Sequence, residues 1–133
     1  MNHFGVRPYP DTNESLQGYL LRLAWLNGIV HLERLLTLIG LPRYMSNNAA
    51  FWDQEKCLSV VDALAPWLKR ARDQVFPNLK AQMKLPWCLE QCRLIQDLHL
   101  SHLRLCPACV VEHGMLDWRW SLAPVAHCIN VYC

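Results

Sequence analysis

Cys106 and Cys109 stand two residues apart in a C-P-x-C stretch. A chain that places cysteines this way must either tie them to something or hide them. Eighteen residues separate Cys109 from Cys128, and four more separate Cys128 from Cys133. The short Pro-containing turn aims two thiolates at one point, and tetrahedral zinc takes two further ligands from a second segment. The spacing lies within the structural-zinc pattern. A redox pair would need a thioredoxin-like βαβ context, and the pattern along this chain is helical. We therefore expect one Zn2+ held by Cys106, Cys109, Cys128 and Cys133, with His127 as the reserve fourth ligand. Cys88 and Cys92, four apart on an expected helix, are competing ligands, although core thiols explain them better. Cys57 reads as core. His102 and His113 flank the knuckle and read as surface or hydrogen-bonding histidines.

Seven cysteines are poorly explained by disulfides in a chain without a recognisable leader. The N-terminus lacks the basic start and apolar middle of a signal peptide. No apolar run reaches the roughly 18 residues of a membrane helix. A cytoplasmic protein without membrane contact is the expectation. The chain is 53% hydrophobic and 18% charged, which suits a packed core. Its net charge of +2 says nothing about partners. Local charge says more: Lys69, Arg70, Arg72, Lys80 and Lys84 face one acid, Asp73, between positions 69 and 84. A solvated helix face explains such a cluster. The sharper alternative is a phosphate-contacting patch built on Lys69, Arg70 and Arg72.

The expected fold is mainly α: a helical domain over 1–98, then a small zinc-ribbon or zinc-finger module over 99–133. Arg7 to Pro10 is an extended arm, because proline fixes φ and pushes its predecessor away from helix. Thr12 or Asn13 is the expected cap of a first helix. Its apolar face is Leu16, Tyr19, Leu20, Leu23 and Leu26, and Asn27-Gly28 is its stop. A second helix is expected over His31–Ile39, stopped by Gly40 and Pro42. Pro66 is expected to divide a helix-turn-helix-like segment at about 54–76 into Gln54–Leu64 and Trp67–Phe76. Helix should return to about Leu98. In the module, Trp118 and Trp120 fall on one face of a strand that pairs with "PVAHC", and a module this small depends on metal for its shape.

"RPYPDTNESLQGYLLRLAWLNG" resembles the opening of the TniQ family: P-Y, then E-S-L, then Y-L-x-R-L-A-x-x-N-G. "LCPACVVEHGMLDWRWSLAPVAHC" resembles its zinc segment. The resemblance covers both ends of the chain; 41–98 rests on pattern alone. It implies a non-catalytic target-selection adaptor of DNA transposition, TniQ/TnsD-like. Such an adaptor joins DNA or a CRISPR effector complex to an AAA+ transposition regulator of the TnsC-like kind. Cys106, Cys109 and Cys128 match three family zinc ligands. The family's usual fourth, a histidine three residues after the third cysteine, is Val131 here. The chain also ends where a typical member continues into another cysteine pair, as a short or truncated copy would. Tyr9, with a large apolar face and a polar tip, is the expected contact for the AAA+ partner. Packing on the first helix is the other reading of Tyr9, and a homodimer stays open. The alternative function is a zinc-containing helix-turn-helix transcriptional regulator. No phosphate loop, nucleophile–base pair or open three-ligand zinc site points to an enzyme.

Overall fold

The computed structural model describes residues 3–79, together with Ala108, Val111, Glu112, Gly114 and Met115. Within this span the elements are α1 (Leu16–Leu26), α2 (Leu32–Leu38), a 3-10 helix (Arg43–Phe51), α3 (Gln54–Leu68) and α4 (Arg72–Val75). The described residues are thus mainly helical, with no strand among them, as the periodicity predicts. The expected zinc module, the tryptophan hairpin and the helix to Leu98 lie outside the described residues.

Apolar spacing explains the helices. In α1, Leu16, Tyr19, Leu20, Leu23 and Ala24 recur at i, i+3, i+4, i+7 and i+8, and all are buried. Asn27 and Gly28 end the helix as expected, with Gly28 at φ +74°. The start differs. The cap is Ser15, whose hydroxyl accepts from the Gly18 N–H at 2.9 Å. Thr12 and Asn13 are used up in the turn before it, and Glu14 is turned into the interior. Leu26, expected in the core, is exposed.

In α2, Leu35 and Leu36 are fully buried, and Ile39 and Gly40 close the helix. This helix packs on α1 and on the 3-10 segment. That segment turns the chain so that Trp52 is buried with its indole N–H donating to the Met45 carbonyl at 3.0 Å. Asp53 caps α3 through the Lys56 N–H at 2.8 Å. Cys57, Val60, Val61, Leu64 and Leu68 then face the core.

The expected break at Pro66 does not occur. Proline removes one i→i−4 bond and crowds the preceding turn, yet here it sits in the last turn, two residues before the helix ends. Burial of Leu64 and Leu68 on either side of it carries the helix through. The chain reverses instead at Lys69, which is left-handed at φ 54°. Arg70 N–H then bonds back to the Ala65 carbonyl at 3.2 Å. The second helix of the 54–76 segment is the four-residue α4. Lys69, Arg70 and Arg72 therefore do not ride on one helix face: two lie in the turn, and only Arg72 is helical. Among the described residues no helix is long and apolar enough to cross a membrane.

Candidate functional site at the N-terminal arm

Residues 3–10 run without regular secondary structure along α1, from Asn27 at its C-cap toward Tyr19 and Arg22, and beside the C-terminal end of α3. Two prolines leave this arm short of N–H donors, so it cannot join a backbone ladder. Most of its polar groups are then left to side chains. Phe4 N–H donates to the Trp67 carbonyl at 3.0 Å, and the Phe4 ring is buried beside Trp67 with centroids 5.4 Å apart. Val6 is held from both sides by Asn27. Its N–H donates to Asn27 Oδ1 at 3.0 Å, and its carbonyl accepts from Asn27 Nδ2 at 2.8 Å. The same Nδ2 closes α1 on the Leu23 carbonyl at 2.9 Å. Arg70 donates to the carbonyls of Arg7 and Pro8. Tyr19, fully buried, donates its hydroxyl to the Pro8 carbonyl at 2.8 Å. Burial pushes the Tyr19 phenol above its ordinary range, against the opposing pull of Arg70 and Arg22.

Glu14 anchors the arm's far end. It is completely buried, and Arg22 meets it with two nitrogens at 2.9 and 2.8 Å. A further Arg22 N–H reaches the Tyr9 carbonyl at 2.8 Å. Hydrogen bonding to Glu14 raises the Arg22 guanidinium above its ordinary value. The polar residues of the E-S-L and Y-L-x-R-L-A-x-x-N-G motifs are therefore accounted for by structure. Glu14, Tyr19, Arg22 and Asn27 strap the arm, and Ser15 caps the helix beneath it. The sequence reading missed this role. The signal was present in the proline-bracketed arm, whose carbonyls lack backbone partners, and in Glu14 and Arg22, opposite charges eight residues apart.

The predicted contact residues separate. Tyr9 keeps 75% of its surface exposed, and the Arg70 guanidinium lies over its ring at 3.9 Å from the centroid. It does not pack into the core. Arg70 is spent on the arm. Arg72 pairs with Asp62 at 2.7 Å. Lys69 remains at the turn, exposed. Cys106, Cys109, Cys128 and Cys133, with His127, lie outside the described residues. Among the described residues no group of three His, Cys, Asp or Glu side chains could hold a metal.

Cys57 lies in the core, and burial, with a smaller push from Asp53, raises its thiol to about 12. A thiol that stays protonated at neutral pH is a poor nucleophile and ligand. In the native protein Cys57 should be the last of the seven cysteines to react with iodoacetamide, as read by peptide mass mapping. Early labelling would mean that α3 opens on the timescale of the reaction.

The described residues are thus helices around one core, with an arm strapped across them by side chains and an exposed aromatic, Tyr9, near its end. The TniQ family model matches residues 5–130, nearly the whole chain. No curated protein and no solved structure matches it. The chain belongs to the TniQ family, whose members are non-catalytic adaptors working in transposition complexes with other Tns proteins.

Proposed function

We propose that this protein is a target-site selection adaptor for DNA transposition. It links a target, either DNA itself or a CRISPR effector complex, to an AAA+ regulator that calls the transposase, and it acts in the cytoplasm. The observation that carries this reading is the extent of the family match, which takes in both motif-bearing ends of the chain. The zinc-ligand spacing supports it. Cys106, Cys109 and Cys128, completed by Cys133 or His127, would hold one Zn2+ as a closed structural site that shapes the C-terminal module.

The test is directed insertion in cells carrying a mini-transposon, its transposase, the AAA+ regulator and this protein. Omitting the protein should abolish insertion at the preferred target and leave none or only scattered events. Unchanged target preference without it would overturn the reading. In the same preparation elemental analysis should find one zinc per chain, lost in Cys106→Ser and in Cys128→Ser. Full zinc content in both variants would place the metal elsewhere.

A further inference from the structure

We propose that the exposed face of Tyr9, backed by Arg70 and flanked by Arg7 and Lys69, is a stacking platform for an unpaired nucleotide of single-stranded DNA. This rests on the adaptor reading and assigns one surface of it. It moves Tyr9 from the ATPase side of the adaptor to the nucleic-acid side.

Three observations carry the inference. The first is how the ring is held. One face lies against the Arg70 guanidinium at 3.9 Å, and that guanidinium is itself fixed by the Arg7 and Pro8 carbonyls. The Tyr9 carbonyl is pinned by Arg22 at 2.8 Å. The aromatic is thus ordered before any partner arrives, which lowers the entropy lost on binding. With 75% of the residue exposed, its other face is open.

The second is the charge around it. Phe4 N–H on the Trp67 carbonyl, and Arg70 on the Arg7 carbonyl, bring the arm beside the turn that carries Lys69. Among the described residues the ion pairs are Arg22–Glu14, Arg43–Glu33 and Arg72–Asp62, so no carboxylate is paired with Arg7 or Lys69. Their fields converge. Lys69 most, then partial desolvation, then Arg7, hold the His3 imidazole below its ordinary value. His3 Nδ1 is buried without a hydrogen-bond partner among the described residues.

The third is the backbone at Lys69. A left-handed conformation at φ 54° is the one glycine adopts without strain. Lysine there costs local stability that glycine would not.

An aromatic face backed by a guanidinium, on an arm that lies beside cations without a carboxylate partner among the described residues, suits single strands, whose bases stack on a ring and whose phosphates meet Lys and Arg. Duplex DNA has no free base face to offer the ring, because each base is already stacked between neighbours. An acidic protein surface would use the cations without needing the ring.

The experiment measures fluorescence anisotropy of the full-length protein with labelled oligothymidylate, a DNA duplex of equal length, and oligouridylate. Wild type should prefer oligothymidylate to both. Tyr9→Ala should weaken that binding roughly ten-fold, and Tyr9→Phe should restore it to within about two-fold. Lys69→Gly should melt at a higher temperature than wild type, yet bind less tightly. The slope of log affinity against log salt should fall by about 0.7 for the lost phosphate contact. Because that variant is the more stable one, its loss of binding is not a loss of folding. Wild-type binding by Tyr9→Ala would overturn the inference, as would equal or tighter binding of the duplex or the RNA. So would a Tyr9→Ala protein that keeps the oligonucleotide and loses the AAA+ regulator. Directed insertion that is lost with Tyr9→Ala while oligothymidylate binding is unchanged would remove this inference and leave the adaptor reading standing.

Discussion

Glu14→Ala should lower the folding stability by about 3 kcal/mol, the cost of breaking a buried ion pair from one side. Glu14 is fully buried, whereas the Arg22 side chain keeps 26% of its surface in solvent. That contact with water puts the effect at the low end of the range for buried pairs. Alanine would leave a guanidinium aimed at an empty apolar space and the Asp11 N–H without its acceptor at 3.1 Å. It would also loosen the Arg22 hold on the Tyr9 carbonyl. Glu14→Gln keeps the shape but only one acceptor and no charge, and should fall between wild type and alanine. Urea unfolding followed by circular dichroism reads the difference as a shift in midpoint at constant slope. Arg22→Leu combined with Glu14→Ala should cost less than the sum of the single changes, because the second removes a partner already lost. A Glu14→Ala cost below about 1 kcal/mol, the level of a solvent-exposed pair, would mean that the arm is not anchored through this pair.

Deletion of residues 1–10 should cost more still, about 5 kcal/mol, and leave the helical domain at or beyond the edge of stability. The loss comprises three parts. Phe4 is 3% exposed, and its burial is worth about 2 kcal/mol. Its departure also strips one face from Trp67, 5.4 Å away. Each hydrogen bond from Arg70, Tyr19 and Asn27 to the arm adds about 1 kcal/mol. The Tyr19 hydroxyl is the most exposed to this loss, since its ring stays buried after its acceptor has gone. Reduced helical signal at 222 nm is not a local effect here: it would report the domain unfolding. A deletion that melted like wild type would show the arm to be an appendage. Because the arm is built in, point changes at Tyr9 are the way to ask what its exposed ring contacts, and truncation is not.

Much of the helical frame was legible in the sequence. The stops at Asn27-Gly28 and Gly40-Pro42 held because they depend on local backbone preference: the two glycines sit at φ +74° and +91°. Leu35, Leu36 and Ile39 are buried because they share one face at helical spacing. The cap of α1 was misplaced because Thr12, Asn13 and Ser15 all suit that role by chemistry. What chose Ser15 was the burial of Glu14 onto Arg22, a contact between residues eight apart that capping rules do not see.

Composition, helical period, turn residues and the two terminal motifs were enough to determine a mainly helical TniQ chain. They did so because each acts within a few residues or as a linear pattern. The tertiary structure decided which of equivalent candidates each position became. Ala24 and Leu26 lie about 80° to either side of Leu16 on the helical wheel, so periodicity ranks them equally. The packing around α1 covers Ala24 and leaves Leu26 to solvent. Pro66 reads as a break, and burial of Leu64 and Leu68 overrules it. Lys69, Arg70 and Arg72 are one basic cluster in the sequence. Contacts across sixty residues of chain give Arg70 to the arm, Asp62 pairs with Arg72 at the surface, and Lys69 is left exposed with no ion pair among the described residues. The free energy of a charge depends on what lies within a few ångströms of it, and for Arg70 that neighbourhood exists only once the arm has folded back onto α3, while for Arg72 it needs the turn that brings it beside Asp62.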